Sequence, residues 1–302
     1  MSAPRSPLPA APVARPSGRD PSSLRTCCST LYGHPLAELV IGESLHPGGL
    51  ETTRRLLRAA SLPVGARLLD VGCGLGASAR MAASDFGLRV DAVDPSIEVI
   101  AQAEVREPRG RVRWHQASAL DLPFPAATFE GILAECTLSI VARGPALAEL
   151  RRVVRPGGRL LISDVEVGGN PIPGLEDHAL LGAALCVTDA WRTGEMDTAL
   201  VAAGFRIDRR WDMTPSILTL LDRVETRLAL AAIAARDLGL DLSGLAGPHA
   251  GGAPTLPSRD DVHRLAEAIR AAVRQGDLRY AGVVSTATGR RGPGNPDRVQ
   301  RR

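Results

Sequence analysis

The chain has no lysine: all 36 of its basic residues are arginine, set against 33 acids for a formal net charge of +3. So uniform a choice points to base composition, since a nucleic-acid binder more usually mixes both cations and clusters them on one face. No nucleic-acid partner is read from it. Long apolar runs are missing too. Stretches such as Leu228 to Ala235 are interrupted by Arg or Asp well short of the ~20 residues a membrane span needs, so no membrane partner is expected. The first residues lack the apolar core of a signal peptide and offer only Pro, Ala, Ser and Arg, and their prolines oppose an amphipathic transit helix. Cysteine is sparse: Cys27, Cys28, Cys73, Cys136 and Cys186 form no regular disulfide framework. That points to free thiols in a reducing, cytoplasmic compartment.

With 302 residues, 44% hydrophobic and 23% charged, the chain is long enough for one large domain with elaborations or two small ones. Residues 1–25 are Pro- and Ser-rich without periodicity, and the tail over 289–302 is basic and Gly-rich; disorder is expected in both. Between them, over 26–288, short β-branched or Leu-rich runs alternate with Ala/Leu/Arg helical stretches, the pattern of βα units. The reading is α/β: a seven-stranded, mostly parallel Rossmann-like sheet with helices on both faces. Strands are expected at Arg67–Val71, Arg89–Val93, Val112–His115, Gly131–Ala134, Arg159–Asp164, Phe205–Trp211 and Arg279–Thr286. Helices centre on Ala77–Asp85, Ile97–Ala103, Pro145–Val154 and Met196–Ala203. Helical patterns at Ile217–Asp237 and Arg259–Gln275 read as an insertion before the last strand, over 214–277, and residues 26–60 as an N-terminal cap.

The most informative run is Leu68-Leu69-Asp70-Val71-Gly72-Cys73-Gly74-Leu75-Gly76, an apolar strand ending in a glycine turn with a helix directly after it. Such glycines let backbone amides approach a ligand and set a helix N-terminus beside its anionic group. Gly72-x-Gly74-x-x-Ala77 also fits a dinucleotide fingerprint, so a nicotinamide oxidoreductase stands as an alternative. Asp70 separates the two. A pyrophosphate gains nothing from a carboxylate two residues before the first glycine, whereas the cationic sulfonium of S-adenosylmethionine does. Asp94, closing the second strand, can accept from both ribose hydroxyls of either cofactor.

Further on come Leu120-Asp121-Leu122-Pro123-Phe124, Phe129-Glu130-Gly131-Ile132-Leu133 and Leu150-Arg151-Arg152-Val153-Val154-Arg155-Pro156-Gly157-Gly158. In this order, the run Arg67 to Val165 resembles the class I S-adenosylmethionine-dependent methyltransferases, in the group of quinone-biosynthesis, sterol and arsenite enzymes. The resemblance implies that Asp70, Gly72, Gly74 and Gly76 line the methionine moiety, that Asp94 holds the ribose, and that Ser118 and Ala119 flank the adenine. Cys73, Pro95 and Glu135 are counted with these cofactor residues. The family usually has Asp where Ser118 stands, and a serine makes a neutral, weaker contact with the adenine amino group.

For the acceptor, residues just after the fourth and fifth strands should face the crevice. Ala134-Glu135-Cys136-Thr137-Leu138-Ser139-Ile140 and Cys186-Val187-Thr188-Asp189-Ala190-Trp191 are similar to the arsenite methyltransferases, which implies As(III) held by Cys136 and Cys186, with Cys27 or Cys28 as a third ligand. As(III) is soft and prefers thiolates. Ala79 and Asp189 depart from that pattern, and each cysteine can equally be a small packing residue. The alternative is an O-, N- or C-methyltransferase of biosynthesis, with His178 or Glu135 as base and the helical insertion shaping an organic pocket. A non-catalytic cofactor-binding protein is a third reading. His34 and His46 read as lid residues or as satisfied caps. Acceptor identity and oligomeric state are not legible.

Overall fold

Strand β1 (Arg67–Val71) is apolar on both faces, with Leu68, Leu69 and Val71 buried, as a strand covered on both sides must be. It pairs in parallel with β2 (Arg89–Asp94) on one side and with β4 (Phe129–Glu135) on the other. Beyond β2 lies β3 (Val112–Gln116), and beyond β4 lies β5 (Val154–Val167), both parallel. The far edge is antiparallel: β8 (Leu278–Ala287) inserts between β5 and β7 (Phe205–Asp212). The fold is thus a mostly parallel, Rossmann-like α/β sheet. The computed structural model describes residues 42, 44, 46–173, 175, 187, 189–237 and 259–289.

Two differences from the sequence reading concern the sheet. A two-residue strand, β6 (Trp191–Arg192), pairs with the end of β5, making eight strands where seven were expected. It is too short to carry a periodic signal. Strand β5 begins five residues early, because Val154 already pairs with Phe129 and the Pro156-Gly157-Gly158 turn is absorbed as an irregularity between Phe129 and Gly131.

Helix α1 (Gly49–Ala60) is the larger omission. Its Thr52, Thr53, Leu56, Leu57 and Ala60 all face inward, so two of the five buried side chains on its inner face after Gly49 are polar, and the apolar pattern is diluted. It packs with α2 (Ala77–Asp85) on one face of the sheet, beside α6 (Pro215–Asp237) and α7 (Arg259–Gln275). The expected helical insertion before the last strand is these two helices, joined to the core through Met213, Ile217, Leu221, Leu265 and Ile269. The other face carries α4 (Arg143–Val153) and α5 (Glu195–Ala202) through Leu147, Leu150, Met196 and Leu200. Helix α3 (Ile97–Val105) runs from β2 to β3, and Ser96 caps it by accepting from the Val99 amide at 3.2 Å. Of the expected disordered ends, 1–25 and 289–302, all but Gly289 lies outside the described residues.

Candidate active site

Chain direction in the sheet runs outward from β1 to β2 and β3 one way and to β4 and β5 the other, so the carboxyl ends of β1 and β4 part at a topological switch point. A cavity of about 490 Å³ opens there. Its floor is the glycine turn. The amides of Gly72 and Cys73 both donate to the Val93 carbonyl, at 2.9 and 3.0 Å. Gly76 has φ 78°, and a Cβ built on it would stand 2.2 Å from Cη2 of Trp114. Gly74 has φ 50° and nothing within 4 Å of such a Cβ, which would occupy open cavity instead. Trp114 therefore demands one glycine, and the space a ligand would fill demands the other.

Asp94 locks this turn. Its Oδ2 accepts from the Gly74 amide at 3.2 Å and its Oδ1 from the Ser96 amide at 3.0 Å, while burial pushes its pKa up in spite of both donors. Pro95, Ser118 and Ala119 line the same end of the cavity. Ser118 Oγ accepts from the Leu120 amide at 3.2 Å and fixes the bend after β3.

The opposite end is polar and buried. Glu135, at the end of β4, accepts at Oε2 from Thr53 (2.9 Å) and Ser78 (2.7 Å), and at Oε1 from Ser163 (3.3 Å), which in turn accepts from the Tyr280 hydroxyl at 2.8 Å. His46 Nε2 stands 3.3 Å from Glu135 Oε2, and its Nδ1 stands 3.3 Å from the Pro47 carbonyl. Nε2 also stands 2.8 Å from the Ser44 hydroxyl, which can donate or accept, whereas the Glu135 carboxylate and the Pro47 carbonyl can only accept and so favour the doubly protonated ring. Burial opposes that charge, but Glu135, the Pro47 carbonyl and Asp70 together outweigh it and raise the His46 pKa. Burial likewise disfavours the Glu135 carboxylate, and His46 with the two hydroxyls reverses this and holds its pKa low. Asp70 has no such compensation. Burial first, and the Glu135 charge second, push it up to about 8, and its Oδ2 has no hydrogen-bond partner.

The structure thus brings Asp70, Gly72, Cys73, Gly74, Asp94 and Pro95 to one cavity, along with Ser118, Ala119, Glu135 and Cys136. Gly76 lies just behind the lining, against Trp114. Burial raises the Cys73 thiol well above its ordinary pKa, so it is a neutral wall residue. Cys136 is buried on the acceptor side at φ 51°, its amide donating to the Ser163 carbonyl at 2.8 Å. Cys27, Cys28, Cys186, His34 and His178 lie outside the described residues. Among the described residues no group of three or more His, Cys, Asp or Glu side chains is arranged to hold a metal ion, and no helix is long and apolar enough to cross a membrane. The residues that sequence reasoning missed are Thr53, Ser78, Ser163 and Tyr280. His46, read as a lid or satisfied cap residue, lies buried on the cavity wall beside Glu135.

Residues 69–162, which run from β1 into β5, match the family model described as "Methyltransferase domain". Among curated proteins the chain is similar to O-methyltransferase resE of Aspergillus sclerotiorum, 32% identical over 160 residues that cover 51% of this chain and 60% of that one. O-methyltransferase cnsE of Penicillium expansum is 32% identical over 179 residues, covering 56% and 63%. The chain therefore spans less than two thirds of either relative. Among solved structures, Haemonchus contortus phosphoethanolamine N-methyltransferase 2, in complex with phosphomonomethylethanolamine and S-adenosylhomocysteine, shares the fold with a TM-score of 0.64 at 20% identity, covering 87% of this chain and 58% of that one.

Proposed function

We propose that the chain is an S-adenosylmethionine-dependent methyltransferase that acts on a small organic acceptor through an oxygen, nitrogen or carbon atom. One observation carries the reading: a glycine turn held by Asp94 lies at one end of a single cavity, and a buried carboxylate with an unpartnered oxygen, Asp70, lies further along it. A net-cationic ligand is stabilised by ionising that buried carboxyl group, whereas a dinucleotide pyrophosphate, itself anionic, gains nothing from it. The residues present fit the group. Asp94 offers carboxylate oxygens to ribose hydroxyls, the open space above Gly74 admits backbone-close contact, and Ser118 and Ala119 bound the base. When bound, S-adenosylmethionine supplies a methyl group on a positively charged sulfur, an electrophile needing no metal. What this chain's residues contribute is alignment of the acceptor at the Glu135 and Cys136 end, exclusion of water, and a buried carboxylate beside the reacting atoms.

The soft-acceptor reading, arsenite on thiolates, keeps Cys136 on the cavity wall, where Cys73 also lies, while Cys27, Cys28 and Cys186 are outside the described residues. The organic reading has the more support, because the polar cluster at that end is built of oxygen and nitrogen groups and the curated relatives above bear O-methyltransferase names. A screen of phenols, amines and enolisable carbonyl compounds, with arsenite plus glutathione included, scored by S-adenosylhomocysteine release, tests it. Turnover of arsenite alone would return the assignment to the thiols.

Asp94→Ala removes a ligand for the ribose and at the same time frees the Gly74 amide. Hydrogen bonds to charged groups contribute about 1.5–3 kcal/mol, so affinity for S-adenosylmethionine is expected to fall at least tenfold, read by titration calorimetry. Unchanged affinity would remove Asp94 from the cofactor site.

A further inference from the structure

Two carboxylates, Asp70 on β1 and Glu135 on β4, and the imidazole of His46, from the segment ahead of α1 and favoured in its charged form by Glu135, are buried at the same cavity end. Glu135 is fully engaged by His46, Thr53, Ser78 and Ser163. Asp70 is not: it gains a hydrogen bond from the Ala79 amide of α2, and its Oδ2 has no partner. The other titratable groups acting on it are Asp94 from β2, a second negative charge, and the neutral thiol of Cys73 in the glycine turn. The cluster is one positive charge short when both carboxylates are ionised.

We propose that His46 and Asp70 make this cavity end charge-selective: His46 neutralises Glu135, Asp70 holds a proton while no cation is present, and a net-cationic ligand binds with release of that proton to solvent. This rests on the methyltransferase reading and deepens it. The cofactor S-adenosylmethionine carries one more positive charge than its demethylated product, so the same device favours cofactor entry and product departure. Deprotonation is the only bond change: the Asp70 carboxyl O–H breaks, the proton passes to buffer, and the ligand's cation takes its place beside the carboxylate.

The sign follows from linkage. A carboxyl group with a raised pKa in the free protein, lowered by a bound cation, makes affinity rise with pH up to the free-protein value, which for Asp70 is about 8. The association constant should climb roughly tenfold per pH unit below that point when one proton is released.

The experiment is titration calorimetry of the full chain with S-adenosylmethionine and, separately, S-adenosylhomocysteine, between pH 6 and 7. Two buffers of different ionisation enthalpy at each pH count the protons released. The ligand's own amino group titrates identically against every variant, so Asp70→Asn is the reference. Wild-type protein is expected to release close to one proton per S-adenosylmethionine bound at pH 6.5, to release fewer with the product, and to gain about tenfold in affinity across the range. Asp70→Asn should lose the proton release and the pH dependence together. His46→Gln should move the release to higher pH and Glu135→Gln to lower pH, opposite shifts that a purely structural role would not produce. Equal proton counts in wild type and Asp70→Asn, or equal counts for cofactor and product in the wild type, would overturn the inference even if the other variants failed to fold. Absence of any S-adenosylmethionine binding by the wild type would overturn the methyltransferase reading, and this inference with it.

Discussion

Glu135→Ala is expected to lower stability by about 3–5 kcal/mol, because removing one member of a buried ion pair strands the other. His46 would be left without its counter-charge, and the hydroxyls of Thr53, Ser78 and Ser163 would lose their shared acceptor. In a domain of this size the melting temperature should fall by on the order of 10 °C. Glu51, which meets Arg54 on the surface of α1, is the control: Glu51→Ala removes an exposed pair and should leave the melting temperature close to wild type. Calorimetric melting of both variants checks this. Similar small shifts in the two would mean that water reaches Glu135 and that the buried cluster is not built as described.

Gly76→Ala and Gly74→Ala are expected to fail in different ways, although they stand two residues apart with similar backbone. Both positions have positive φ, which costs an alanine about 1–2 kcal/mol. At Gly76 the new methyl would also run into the Trp114 ring, 2.2 Å away, and forcing a packed ring aside adds about 1–3 kcal/mol. Gly76→Ala should therefore be markedly destabilised. At Gly74 the methyl meets nothing and projects into the cavity, so the protein should lose only that backbone cost while S-adenosylmethionine affinity drops at least tenfold. Melting temperature set against calorimetric affinity separates them. Equal stability losses with intact binding in Gly74→Ala would place the ligand elsewhere.

The first half of the fold was legible because its signals are local. β1 ends in a glycine turn, β2 ends in Asp94, and the next helix starts at Ser96, each marked by residues within a few positions of the boundary. The cofactor end of the site shares that property, since Asp70, Gly74 and Asp94 all sit in these turns. The polar end does not. Glu135 meets His46, Thr53 and Ser78 only after β4 has been laid beside β1 and α1 packed over them, and nothing near His46 in the chain announces a carboxylate. Helix α1 was hidden for a related reason: Thr52 and Thr53 face inward because they serve hydrogen bonds at Pro47, Ser78 and Glu135, so its buried face is not wholly apolar. Tyr280 lay in a strand correctly placed, but its reach to Ser163 depends on β8 pairing antiparallel with β5.

The cavity at the switch point is expected to bind S-adenosylmethionine and not a dinucleotide. Titration calorimetry of the full chain with S-adenosylmethionine and with NADH, at the same pH and ionic strength, tests it most directly. Saturable one-to-one binding of S-adenosylmethionine is expected, weakened at least tenfold by Asp94→Ala, with weaker or no binding of NADH. Tighter binding of NADH than of S-adenosylmethionine would contradict it.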